Sequence, residues 1–117
     1  MRRWPNRAEV DSALRQWVAD FAPELVTVLA LGYFGSYARD EAGLGSDLDV
    51  VMIVTESDLP FHQRSGSWNF LAIPVPVEAL VYTWVEWQQL ASRQPRFYQT
   101  LLRETVWIKP LENNRGY

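Results

Sequence analysis

Three acidic side chains and one glycine–serine turn are the residues of this chain whose types and spacing suit chemistry. Asp47 and Asp49 stand two apart in GSDLDVVMIVT. On a strand their carboxylates project to one face, while Leu48 and Val50 project to the other. Aspartate is disfavoured in strands, and two like charges on one face repel; a divalent cation between them removes that cost. A third acid, Glu78, lies inside VPVEALVYT, on the face of Leu80 and Tyr82. An ionised carboxylate there is costly to bury unless it is paired or metal-bound; the alternative is an edge-strand side chain directed to water. Upstream, Gly35-Ser36 marks the point where an apolar strand turns into a helix. A helix N-terminus presents unpaired N–H groups and welcomes phosphate. Gly35 has no side chain to hold a ligand away, and Ser36 can cap the helix, bond a phosphate oxygen, or do both in turn. Together these residues point to phosphate chemistry at a bound metal.

If the two acidic strands are neighbours, the three carboxylates can hold two magnesium ions. One ion binds a triphosphate; the other lowers the pKa of an attacking hydroxyl and stabilises in-line displacement at phosphorus. Asp49 and Glu78 suit the nucleophile side, with Asp47 bridging. Arg39, one turn beyond the Gly-Ser motif, either contacts phosphate or buttresses the acid cluster. Asp-x-Asp is also used by sugar transferases, but the chain is too short for that fold and the Gly-Ser turn would then go unexplained.

Composition narrows the metal. The 117 residues include no cysteine and one histidine, His62, so thiolate and histidine-rich sites are excluded and the ligands must be oxygen, as for magnesium or manganese. A hydrophobic fraction of 48% with six tryptophans fits one compact domain over residues 1–117 rather than a disordered chain. The net charge of -3 offers no broad footprint for nucleic acid, and Arg93, Arg96 and Arg103 read as a solvated helix face. No apolar run approaches the ~20 residues needed to cross a bilayer, and the start MRRWPNRAEVDSAL lacks the apolar stretch of a signal peptide. The expected location is the cytoplasm, with no membrane partner; His62, in a polar loop, reads as a surface residue.

The elements that must position these residues follow from periodicity. Val10, Leu14, Trp17, Val18 and Phe21 recur at helical spacing over 7–21, after an Asn6–Glu9 capping-box pattern and before Pro23. Residues 25–34 read as a buried strand, 36–42 as a short helix closed by Gly43 and Gly45, and 47–55 as a second strand. Residues 56–70 read as a loop with a helical turn. A third strand spans 75–83, with Pro76 at its start or on an edge. Thr83 and Glu86 then open a helix over 84–93, Pro95 opens another over 95–103, and 105–108 adds a short strand. The order predicts an α/β (α+β) fold with a small sheet.

Gly35-Ser36-Tyr37-Ala38-Arg39, Ser46-Asp47-Leu48-Asp49-Val50 and the acid of VEALVYT, in this order and spacing, make the chain resemble the minimal nucleotidyltransferases of the DNA polymerase β-like superfamily, over roughly residues 8–108. The resemblance implies a small mixed sheet flanked by helices. It implies a triphosphate bound by Gly35 and Ser36 with Arg39 and Ser46 nearby, and magnesium held by Asp47, Asp49 and Glu78. It further implies transfer of AMP from ATP to a hydroxyl, that of a tyrosine of a helical HEPN-type partner, with this chain as antitoxin of a toxin–antitoxin pair. A homo-oligomer is left open. Two positions depart from the family pattern: Asp40, where glycine is frequent, and Glu78, where aspartate is more common. The longer Glu78 supports an alternative reading, a nucleotide-binding or partner-binding subunit with weak or no catalysis.

Overall fold

The computed structural model describes residues 3–112; the domain expected over 1–117 extends past them at both ends. Helix α1 (Arg7–Asp20) begins on the expected capping box. The Asn6 side chain accepts from the Glu9 N–H at 2.9 Å, and the Glu9 carboxylate accepts from the Asn6 N–H at 3.3 Å. After Pro23 the chain makes a 3₁₀ turn over Ala22–Leu25, which delays strand β1 to Val28–Phe34 rather than residue 25. Helix α2 is a single turn, Gly35–Ala38, where 36–42 is expected. Asp40 ends it early by taking a left-handed backbone, φ 59. Aspartate is among the few non-glycine residues that tolerate this conformation, so the turn that glycine would favour forms without one.

Strand β2 (Leu48–Val54) starts just after Asp47, which lies outside the strand rather than in it. The following segment folds into helix α3 (Phe61–Arg64) and a 3₁₀ turn, with His62 exposed. Strand β3 (Val77–Thr83) begins after Pro76, whose carbonyl accepts the Leu48 N–H at 2.8 Å. Thr83 and Glu86 form the second capping box, opening helix α4 (Trp84–Arg93). Helix α5 (Pro95–Glu104) and strand β4 (Val106–Lys109) complete the described chain.

The four strands form one mixed sheet in the order β3-β2-β1-β4. β1 is antiparallel to β2 and β4, whereas β2 and β3 run parallel. This is the small mixed sheet flanked by helices that the sequence predicts. Alternation along β2 sends Leu48, Val50 and Met52 into one core with Val10, Leu14 and Trp17 of α1. Val51 and Ile53 enter a second core with Trp87, Leu90 and Leu101 of α4 and α5. The aromatics of the last third serve this second core: Trp87 meets Trp107 edge to face at 6.2 Å and Tyr98 at 5.2 Å.

β3 is an edge strand, and its free side is partly covered by Arg64. This buried guanidinium donates to the Val81 carbonyl at 3.0 Å and the Leu59 carbonyl at 2.9 Å, and pairs with Glu86 at 2.5 Å. A cation fixed there blunts an edge that would otherwise template pairing with another chain. On the other side of the sheet, Gly32 lets β1 and β4 approach. A Cβ at this position would stand 2.6 Å from the Val106 carbonyl oxygen and 3.0 Å from the Trp107 Cα, and backbone cannot yield to it. Gly32→Val should therefore lower unfolding stability by about 2–3 kcal/mol, the scale of overpacking a filled interior. Urea unfolding reads this directly; an unchanged midpoint would mean the two strands are not held this closely.

Candidate active site

The acidic residues are gathered by the ends of two parallel strands. Asp49 and Glu78 are direct register partners across β2 and β3, so their side chains leave the sheet on one face; neighbouring strands lie about 4.8 Å apart. That face is the one covered farther along by α4 and α5, since Val51 and Leu80, the next residues of the same alternation, pack in their core. Asp47 approaches from the turn before β2. Glu78 is exposed, whereas Asp47 and Asp49 are half-buried.

Burial first, and then the charges of Glu78 and Asp47, push the Asp49 carboxyl above the ordinary carboxylate value, with Arg39 pulling the other way. Asp49 therefore feels both other acids. Among the described residues no three acidic side chains are drawn in far enough to form a ready-made metal cluster. The donor set nonetheless suits a hard divalent cation: all the ligand atoms are carboxylate oxygens, and their repulsion is what such an ion relieves.

Gly35 sits behind Asp49. The β1–β2 register ends at Phe34 opposite Asp49, and Gly35 then turns with φ +75. A Cβ here would lie 2.2 Å from Asp49 Oδ2, so the absence of a side chain lets the carboxylate lie against the turn. Ser36 falls inside α2 and caps nothing, which sets aside its expected capping role. Its hydroxyl makes no hydrogen bond to other described residues. With only one helical turn, α2 has a slight dipole; what it can offer an anion is its first N–H groups.

Arg39 is held by carboxylates. Its Nε donates to Glu41 Oε1 at 2.9 Å, and its Nη1 is bonded to Glu104 at the end of α5. It lies close enough to Asp49 to favour the ionised carboxylate. Its side-chain partners are thus Glu41 and Glu104 rather than the acids of the site, and half of the Arg39 side chain remains exposed. Ser46 closes its own turn: its Oγ accepts from the Gly43 N–H at 2.9 Å, and its carbonyl accepts from Trp4 Nε1 at 3.2 Å.

Sequence reasoning did not single out Glu104, which ties α5 to α2. Nothing in the local pattern marks a partner 65 residues from Arg39. It also did not anticipate the wall between this site and α5, where Phe34 meets Phe97 edge to face at 6.1 Å. The three arginines 93, 96 and 103 are exposed, as a solvated face requires. No described helix is long and apolar enough to cross a membrane.

Residues 15–108 match the family model for a nucleotidyltransferase domain. A comparison with curated proteins finds no match. The matched span contains every acidic residue of the site, the Gly-Ser turn and Arg39.

Two outcomes test the geometry. A carboxyl whose folded value is raised costs stability when ionised. That cost is absent below the unfolded value near 3.8 and grows as pH rises through the folded value. Asp49→Asn should thus melt above the wild type at pH 7, with the difference closing below about pH 3.8, where both side chains are neutral; a lower melting temperature at neutral pH would contradict this. Gly35→Ala should cost about 1–2 kcal/mol in chemical denaturation for the left-handed backbone and more for the clash with Asp49; an unaltered free energy would contradict the left-handed turn at Gly35.

Proposed function

The chain belongs to the nucleotidyltransferase domain family, which makes it a transferase of nucleotidyl groups, and we propose that its donor is ATP bound with magnesium and its acceptor a protein hydroxyl. The observation that carries this reading is the register of Asp49 with Glu78, with Gly35 letting the Asp49 carboxylate lie against the turn. Asp47, Asp49 and Glu78 would hold the magnesium. Once bound, the ion supplies charge neutralisation at the phosphates and acidifies the acceptor hydroxyl.

The chain's own residues then orient the reaction. The Ser36 hydroxyl and the first N–H groups of α2 grip phosphate oxygens, and Gly35 leaves room for the Asp49 carboxylate against the turn. Arg39, tethered by Glu41 and Glu104, offsets the local negative charge. The acceptor oxygen attacks the α-phosphorus, the bond from that phosphorus to the bridging oxygen breaks, and pyrophosphate leaves. Glu78, the exposed carboxylate of the three, takes the acceptor's proton.

A helical HEPN-type partner, with this chain acting as antitoxin, is the setting supported by the resemblance of the Gly-Ser and Asp-x-Asp motifs. A second reading has one specific feature in its favour. Glu78 carries an extra methylene and lies exposed, so a subunit that binds nucleotide with weak or no transfer is the alternative.

Calorimetry with ATP and magnesium separates binding from its absence. The wild type should bind, and the double variant Asp47→Ala/Asp49→Ala should lose at least about 100-fold in affinity, on the scale of removing ligands that hold a metal. Equal heats from both proteins would sink the metal–nucleotide assignment. Binding by the wild type with no pyrophosphate release on adding the partner would favour the non-catalytic alternative.

A further inference from the structure

Beyond the acidic site, the same face of β3 runs into an open groove of about 420 Å³. Its floor is Leu80 and Tyr82, its walls are Phe61 of α3 with Gln89 and Gln94 at α4, and Phe97 of α5 stands at the end nearer the carboxylates. We infer that this groove receives the nucleobase of the triphosphate whose phosphates lie at Asp47, Asp49 and Glu78; the inference rests on the reading above and adds a base subsite to it.

Position argues first. Leu80 is the next residue after Glu78 on the same face of β3, and two residues of strand advance the chain about 7 Å. A ligand with its phosphates at the carboxylates therefore needs only the length of a ribose to bring its base over Leu80 and Phe97. Chemistry argues next. The groove presents aromatic faces, which stack on any base, beside two side-chain amides that make no hydrogen bond to other described residues. An amide offers both a donor and an acceptor, the combination displayed along the edge of a base. Charge agrees with both. The acid in the groove, Glu86, is neutralised by Arg64 at 2.5 and 3.2 Å, and Arg93, also in the lining, adds a guanidinium plane of the kind that stacks on a base, whereas the strand ends suit a cation and an anion. The volume lies within the range of small-ligand sites.

Titrations with magnesium and either ATP or inorganic tripolyphosphate test the assignment, using the wild type, Phe61→Ala and Gln94→Trp. Both substitutions are at exposed positions; the first removes an aromatic face and the second fills the groove. The wild type should bind ATP about tenfold or more tighter than tripolyphosphate, and each variant should lose about tenfold toward ATP, the usual scale for a lost stacking contact, while keeping its tripolyphosphate affinity. A wild type that binds the two ligands equally, or variants that retain full ATP affinity, would overturn the base subsite and leave the phosphate site standing. Variants that keep ATP affinity but lose transfer to a protein acceptor would assign the groove to the acceptor instead. Loss of both ligands together in the variants would also overturn it. A wild type that binds neither ligand would remove the parent reading and this one with it.

Discussion

Like charges must be kept together at one end of a sheet, and the rest of this structure is organised around that demand. Besides burial, the charges of Glu78 and Asp47 push the Asp49 carboxyl above its ordinary value, while solvent and salt screen the exposed Glu78. Parallel pairing of β2 with β3 places Asp49 and Glu78 in register, and the closed turn at Ser46 brings Asp47 beside them. Burial is the larger penalty on Asp49, and the two charges add to it. A strained arrangement of this kind persists only when its surroundings over-determine it.

Those surroundings are the two cores. β2 lies between β1 and β3 and is buried on both faces beyond Asp49, so it cannot twist its acidic end away without unpacking Val51 and Ile53 on one side or Val50 and Met52 on the other. Gly35 removes the one side chain that would push the Asp49 carboxylate out of place. Arg39 supplies the compensating positive charge, and it is held by Glu104 from a helix far along the chain. The second core thus reaches the acidic site through α5, as both packing and an ion pair.

Much of this was legible in the residues, and the reasons for the exceptions are physical. The capping boxes at Asn6 and Thr83 are local hydrogen-bond patterns, so α1 and α4 start where their sequences say. The strands carry apolar alternation strong enough to locate them, but their ends depend on neighbours. β1 begins late because Pro23 favours a tight turn, and α2 stops at one turn because Asp40 accepts a left-handed backbone. That Asp47 lies before β2 while Asp49 lies in it could not be read from an Asp-x-Asp pattern alone. The register of Asp49 with Glu78 is a tertiary fact that the two acidic strands only suggested. The Arg39–Glu104 tie left no local signal at all, nor did the role of Arg64 in covering the free edge of β3.

The account's central claim is that this end of the sheet stores carboxylate repulsion for a divalent cation and a triphosphate to relieve. Thermal unfolding of the wild type at pH 7, with magnesium and a non-hydrolysable ATP analogue against sodium at matched ionic strength, tests it most directly. The account predicts a clear rise in melting temperature with magnesium and the analogue together, through binding to the folded state alone. A melting temperature indifferent to the change of cation and nucleotide would contradict it.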